Sequence, residues 1–119
     1  MGDLSAHFSS LEFICHCGCR QGGNRIDARL IALLEALRET VAAPIRINSG
    51  FRCPKHNKAV GGEPHSYHMT GQAADITVEG MTPAIVASAA EKLKGIGGIG
   101  KYKTWTHIDC GPKGRRWKR

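Results

Sequence analysis

The chain has 119 residues, a mass of 12.9 kDa and a formal net charge of +7, from 17 Lys and Arg against 10 Asp and Glu. Hydrophobic residues make up 41% and charged residues 23%, which is ordinary for a folded domain and excludes a disordered or fibrous chain. No run approaches the roughly 20 apolar residues that a membrane-spanning helix needs, so we predict one domain over residues 1–119 without membrane insertion.

The N-terminal stretch "MGDLSAHFSSLEF" lacks the basic region and apolar segment of a secretory signal peptide. We therefore expect synthesis in the cytoplasm, with release by another route if the protein acts outside, and we expect a monomer.

Three of the five cysteines lie in "ICHCGCR", as Cys15, Cys17 and Cys19, while Cys53 and Cys110 are far away in the sequence. The run lacks the paired two-residue spacing of common zinc knuckles. We expect reduced, partly buried thiols; a structural metal site with Cys53 as fourth ligand is the alternative.

Apolar periodicity predicts the first elements. Leucines and a valine recur every three or four residues from Asp27 to Val41, which is typical of one buried stripe on an α-helix. Pro44 ends that helix, and "IRINSG" alternates as a short strand. Two Pro and three Gly then interrupt residues 51–71, so we predict a long functional loop without regular elements.

The second half reads as a strand, a helix and a hairpin. "QAADITV" is the strand, and "MTPAIVASAAEKLKG" is a helix with Thr82 as N-cap, Pro83 in first position and an end at Gly95. "GIGGIGKYKT" and "WTHIDCG" form the hairpin. His107 and Asp109 share one face of its second strand, because side chains two apart lie about 6.6 to 7 Å apart on the same side.

The C-terminal stretch "PKGRRWKR" carries five of the cations within eight residues. A solvated tail and a binding role explain it equally well, and nucleic acid, anionic lipid or anionic wall polymer would satisfy the charge. Nucleic acid is the weakest of these, because Trp105 and Trp117 are the only tryptophans to stack on bases.

A catalytic zinc takes three protein ligands and leaves one position for water. The residues supply His68, Asp75 and His107 as candidates. The reserves are His56, His65 and Asp109. By spacing alone this indication is weak, but a carboxylate inside an apolar strand, as at Asp75, needs a compensating charge.

Three stretches, "SGFR", "SYHMTGQAADI" and "HID", resemble the zinc D-Ala-D-Ala carboxypeptidase family. The family pattern is Ser-x-His-x-x-Gly-x-Ala-x-Asp followed by a His-x-His or His-x-Asp pair, and it matches at Ser66, His68, Gly71, Ala73 and Asp75. The signalling domain of hedgehog proteins shares the pattern and the fold, so the motif points to an architecture more directly than to an activity.

The resemblance implies an α+β domain whose antiparallel sheet, flanked by helices, carries one Zn²⁺ per chain. It carries His68 and Asp75 over as ligands, with His107 as the third. An overlay on the His-x-His relatives would instead put Asp109 at the metal. With His107 bound, Asp109 becomes the general base or the group that orients a ligand.

The remaining site residues are also implied by the resemblance. Arg52, in the family's Ser-Gly-aromatic-Arg position, would bind a stem-peptide carboxylate or the developing oxyanion. Ser66 would orient a ligand or hydrogen-bond the substrate. Thr104 stands where several relatives have an acidic residue, which leaves the identity of the base open.

The implied function is a zinc metallopeptidase of the D,D-carboxypeptidase or endopeptidase type, acting on peptidoglycan stem peptides or cross-links. A phage-type lysin that another protein's pore releases to the cell wall would need no signal peptide. The alternative is a non-catalytic zinc-containing binding module of the same fold. The bond that is cut stays open.

Overall fold

Five strands, three α-helices and two short 3₁₀ helices make up the domain in a computed structural model, which describes residues 2–19, 21–23 and 25–119. In chain order they are a 3₁₀ helix at Ser10–Phe13, α1 at Ala28–Val41, β1 at Ile45–Ser49, α2 at Pro54–Ala59, a 3₁₀ helix at Tyr67–Thr70, β2 at Ala73–Val78, α3 at Pro83–Ala90, β3 at Gly98–Lys101, β4 at Thr106–Asp109 and β5 at Arg115–Lys118. The predicted α+β class is confirmed.

The strands form one sheet in the order β1-β2-β4-β3-β5. Its first four strands pair antiparallel, as the sequence predicts. The last strand, β5, pairs parallel to β3. The prediction of an antiparallel sheet is therefore correct for four strands but does not hold for β5, and the sheet is mixed.

Side-chain alternation divides the sheet into two chemically different faces. The apolar residues of β1 to β4, such as Ile47, Ile76 and Ile108, join the leucines of α1 and Val86 of α3 in the main core. The intervening residues, among them Asp75 and His107, point to the opposite face, which the segment between β1 and β2 borders. Helices α1 and α3 therefore cover the apolar face of the sheet, and the polar side chains of the candidate site lie on the other face.

Two of the predicted boundaries need correction. The segment 51–71 is not a loop throughout, because it contains α2 and the second 3₁₀ helix. Pro54 occupies the first turn of α2, and the Cys53 side chain caps this helix by accepting from the His56 amide. The helix that begins after Thr82 ends at Ala90 instead of Gly95, since residues 91–96 turn to bury Leu93 and Ile96 in the core.

The C-terminal basic stretch is also not a free tail, because Arg115–Lys118 forms β5. The described residues include no helix that is long and apolar enough to cross a membrane.

Candidate active site

A row of side chains crosses the polar face of the sheet and brings two candidate ligands together. Asp75 of β2 is the direct cross-strand partner of His107 of β4, and His107 is in turn opposite Gly100 of β3, which is opposite Trp117 of β5. The His107 Nδ1 atom lies 3.1 Å from Asp75 Oδ1. Strand register therefore sets this half of the site.

The third candidate ligand, His68, comes from the 3₁₀ helix that precedes β2. The Ser66 hydroxyl caps that helix by accepting from the His68 amide at 3.2 Å. Gly71 ends it with a φ of +72°, a conformation that favours glycine, and a Cβ there would clash with the Arg25 carbonyl. The result places His68 Nε2 3.2 Å from Asp75 Oδ1.

The outer ring nitrogens of both histidines are held by groups that only accept hydrogen bonds. His68 Nδ1 lies 2.7 Å from the Gly50 carbonyl oxygen, and His107 Nε2 lies 2.8 Å from Asp109 Oδ2. Each neutral ring must therefore carry its proton on that outer nitrogen. The inner nitrogens, which face Asp75 Oδ1, are left as bare lone pairs.

Three electron-pair donors facing one another need a cation between them or additional protons. The nearest atoms of His68, Asp75 and His107 all lie within 4.8 Å of one another, and all three residues are buried. Two imidazoles and one carboxylate form a donor set that suits zinc, with a fourth position left for water. These residues therefore fit the ion that the sequence resemblance implies.

Asp109 is fully buried and makes four contacts with donors. Oδ2 accepts from His107, while Oδ1 accepts from the amides of Gly98 and Gly111 at 2.9 and 3.0 Å and pairs with the Arg115 guanidinium. Burial alone would raise the pKa of Asp109, but the contacts with His107 and Arg115 outweigh it and lower the pKa to about 2. Its geometry is that of a carboxylate that orients a histidine ligand.

The second oxygen of Asp75 is also held in place. Arg52 Nη2 donates to Oδ2 at 3.0 Å, and the same guanidinium contacts Ser49 and Asn57. Burial raises the pKa of Asp75, but without a cation in the site, hydrogen bonds from protonated His107 and His68 more than offset that effect and keep the pKa below its usual range. Arg52, which was expected to bind substrate, thus also orients a candidate ligand.

The three candidate ligands open into a cleft of about 300 Å³. Its walls combine cations with aromatic rings. They include Arg52, Arg115, Arg119, Tyr67, Tyr102, Trp105 and Trp117. Tyr102 and Trp105 stack with centroids 4.6 Å apart, and the buried Trp105 Nε1 has no hydrogen-bond partner among the described residues. A ligand with carboxylates would match the cations of these walls.

The two reserve histidines lie outside the group of candidate ligands. His56 is in α2, where its backbone amide donates to Cys53, and His65 is exposed on the rim of the cleft. Thr104 is exposed before β4 and offers no carboxylate. Neither histidine joins the group of candidate ligands formed by His68, Asp75 and His107.

Sequence reasoning missed the contribution of β5 and of the glycines in β3. Gly98 and Gly100 alternate along β3, and a Cβ on either would clash, with the Asp109 carboxylate in the first case and with the Trp117 indole in the second. The alternation in "GIGKY" was the available signal, because small residues repeating every second position open one face of a strand.

Comparison with known proteins connects this arrangement to a family. The model of the family described as Peptidase M15 matches residues 6–109. This range contains all three candidate ligands together with Asp109.

Individual relatives match over shorter stretches. The chain is 36% identical over 83 residues to "Probable peptidoglycan L,D-endopeptidase MepK" of Haemophilus influenzae, and 35% identical over 81 residues to "Peptidoglycan L,D-endopeptidase MepK" of Escherichia coli. It is 36% identical over 90 residues to "Zinc D-Ala-D-Ala carboxypeptidase" of Streptomyces albus G. These matches cover 64%, 62% and 71% of this chain but 44%, 43% and 34% of the relatives, so the chain spans less than half the length of each.

Proposed function

The chain belongs to the peptidase M15 family, and from that membership we propose that it hydrolyses a peptide bond in peptidoglycan with one zinc ion bound by His68, Asp75 and His107. Family membership confirms the resemblance drawn from the Ser66–Asp75 motif. One observation carries the assignment of ligands: both histidines have their outer nitrogens held by acceptors and direct their inner nitrogens at one oxygen of Asp75.

Zinc, when bound, would supply Lewis-acid polarisation of the scissile carbonyl and activation of water. The residues of the chain prepare the site for that chemistry. Asp109 keeps the His107 ring in one tautomer, Ser66 and Gly50 fix the position of His68, and Arg52 holds Asp75. Of the two roles expected for Asp109, we propose the orienting one, because all its contacts are to donors inside the protein.

The cleft would select the substrate through its charges and aromatic faces. Peptidoglycan stem peptides carry carboxylates, which match the guanidinium groups of Arg52, Arg115 and Arg119 along the cleft. The stacked rings of Tyr102 and Trp105 would support the peptide. The names of the relatives support both carboxypeptidase and endopeptidase cleavage.

The test is mass spectrometry of the fragments released from purified peptidoglycan by the zinc-loaded protein. We expect new muropeptides whose masses identify the bond, and we expect His68→Ala to lose both zinc and activity while circular dichroism stays native. Release of D-Ala alone would indicate a carboxypeptidase, and conversion of cross-linked fragments to uncross-linked ones an endopeptidase that cuts cross-links.

A zinc-loaded protein that binds peptidoglycan without releasing any fragment would contradict the proposal. That result would favour the alternative of a non-catalytic binding module. Thr104, which stands where the family resemblance implies an acidic residue, is the feature that favours this alternative.

A further inference from the structure

A second group of metal-binding side chains lies outside the proposed active site. The sulfur atoms of Cys15, Cys17, Cys19 and Cys53 all lie within 4.8 Å of one another. Three of these residues are neighbours in the loop after the first 3₁₀ helix, whereas Cys53 is 34 positions further along at the start of α2. The fold has therefore brought four thiols together from two separate segments.

The sulfur separations match those of a tetrahedral metal site. Cys15 Sγ lies 3.4 Å from Cys17 Sγ and 3.7 Å from Cys53 Sγ, and the distance from Cys17 Sγ to Cys53 Sγ is 3.5 Å. Four thiolates on a zinc ion, each with a bond of about 2.3 Å, stand about 3.8 Å apart. A disulfide would bring a pair of sulfur atoms to about 2.0 Å, and none of these three distances is that short.

Backbone amides point at two of these sulfur atoms. The Cys53 amide donates to Cys15 Sγ at 3.5 Å, and the His56 amide donates to Cys53 Sγ at 3.4 Å. Donors aimed at sulfur stabilise the thiolate form, which is the form that binds metal. Cys17 and Cys19 are exposed, so an ion can reach the group from solvent.

We propose that Cys15, Cys17, Cys19 and Cys53 bind a second zinc ion through four thiolates, as a structural site separate from the catalytic one. This replaces the expectation of unliganded thiols and of one zinc per chain. The spacing of the first three cysteines gave little support for a metal, because the fourth ligand and the fold of the loop become visible only in three dimensions.

The location explains what such an ion would do. Cys15 packs with Phe51 and Cys53 in a small cluster that is separate from the main core. Cys53 directly follows Arg52, which holds Asp75, and Gly50 in the same segment holds His68. Zinc at the four cysteines would therefore tie the N-terminal loop to the segment that supports the proposed active site.

Metal analysis of four proteins tests the proposal. We expect about two zinc ions per chain in the wild type, about one in Cys17→Ser/Cys19→Ser, and about one in His68→Ala/His107→Ala. Cys110→Ser is the matched control, because Cys110 is buried in the main core away from the cluster, and it should keep two ions. Equal metal content in the wild type and the Cys17→Ser/Cys19→Ser variant would overturn the proposal.

Cobalt substitution provides a readout that depends neither on activity nor on the folding of a cysteine variant. The cobalt-loaded wild type and His68→Ala/His107→Ala should both show thiolate-to-cobalt charge-transfer absorption, which histidine and carboxylate ligands do not produce. Absence of that absorption from the wild type would overturn the proposal. So would cysteines that are found paired in disulfides when the freshly purified protein is alkylated and weighed. A protein inactive on peptidoglycan but with this absorption would overturn only the proposed function.

Discussion

Asp109 keeps a negative charge with none of its side chain exposed to solvent. Burial of an ionised carboxylate is costly unless hydrogen bonds and an opposite charge compensate it. Two amides, one guanidinium and one imidazole supply that compensation here. Because every partner is a donor, the carboxylate also dictates where the proton on His107 must sit.

Asp109→Asn should weaken zinc binding by roughly 10- to 100-fold, the usual cost of losing a group that orients a ligand. If the new NH₂ group faced the His107 ring, it would change the tautomer of His107. If it faced the donors around Oδ1, it would leave those donors unpaired. The latter would lower the free energy of unfolding by about 1 to 3 kcal/mol. Competition with a chromophoric chelator measures the first effect, and urea denaturation the second.

Asp27→Asn is the matched control, because Asp27 caps α1 and asparagine caps helices equally well. It should leave the zinc affinity unchanged and, because it also removes an exposed ion pair with Arg29, should lower the free energy of unfolding by less than about 1 kcal/mol. If Asp109→Asn lost zinc completely while His107→Ala retained it, Asp109 would be the ligand and the proposed assignment would be wrong.

The sequence predicts the candidate ligands, but it does not predict the groups that hold them in place. His68 and Asp75 lie in one short motif, and the two-residue spacing of His107 and Asp109 predicts their shared face correctly. The donors to Asp109 come from β3, from the turn after β4 and from β5. No spacing rule links those positions, because only the order of strands in the sheet brings them together.

Among the elements, the 3₁₀ helix at Tyr67–Thr70 has the most demanding geometry, because it must present His68 and then reverse into β2 within a few residues. Gly71 makes that reversal with a positive φ, and its amide bonds back to the His68 carbonyl. The Gly71 carbonyl also accepts from the Asp27 amide at the start of α1. This connection links the candidate ligand to the largest helix.

Gly71→Ala should be more destabilising than Gly80→Ala, although both residues have positive φ values, +72° and +78°. Alanine at Gly80 meets open space, so it should cost only the roughly 1 to 2 kcal/mol of the left-handed conformation. Alanine at Gly71 would in addition clash with the Arg25 carbonyl, which adds about 1 to 3 kcal/mol. Thermal or urea unfolding of the two variants measures the difference.

Zinc affinity adds a second comparison to this pair. The shift of backbone at Gly71 should move His68 and weaken zinc binding, whereas Gly80→Ala should leave it unchanged. Equal destabilisation in both variants would show that the contact with Arg25 imposes no constraint.

The predicted helices and first four strands follow from periodicity, whereas α2 and β5 were missed for opposite reasons. In α2, prolines and glycines nearby obscured a helix of six residues. In β5, charged residues obscured a strand whose Trp117 packs against His107 with ring centroids 4.9 Å apart. Tertiary contacts, which a local pattern does not contain, stabilise both elements.

At the scale of the whole molecule, the basic charge is divided between structural and free cations. Arg115 pairs with Asp109 and Arg116 with Glu91, so neither is a free cation at the surface. Lys113 and Lys118 are exposed and remain available to attract an anionic polymer. Arg119 lies 3.5 Å from Glu63, so any binding to anionic wall polymers through the C-terminal residues would depend mainly on these lysines.

Lys113→Gln/Lys118→Gln should weaken binding to an anionic wall polymer. The binding should also depend less on salt concentration, because two exposed cations that attract the polymer are removed. Hydrolysis of a small soluble peptide should not change. Lys55→Gln/Lys92→Gln, which removes the same charge from exposed positions on α2 and after α3, is the control. Cosedimentation with purified polymer at low and high salt checks the prediction, and equal binding by both variants would assign no special role to the C-terminal lysines.

The position of β5 at one edge of the sheet affects whether the sheets of two molecules can pair edge to edge. An edge strand offers unpaired amides and carbonyls to any other strand, which is a common route to aggregation. Here that edge carries the exposed cation Lys118, and the opposite edge strand, β1, carries exposed Arg46. Like charges on the two edges oppose their pairing, so the strand that borders the proposed active site also disfavours extension of the sheet into a neighbouring molecule.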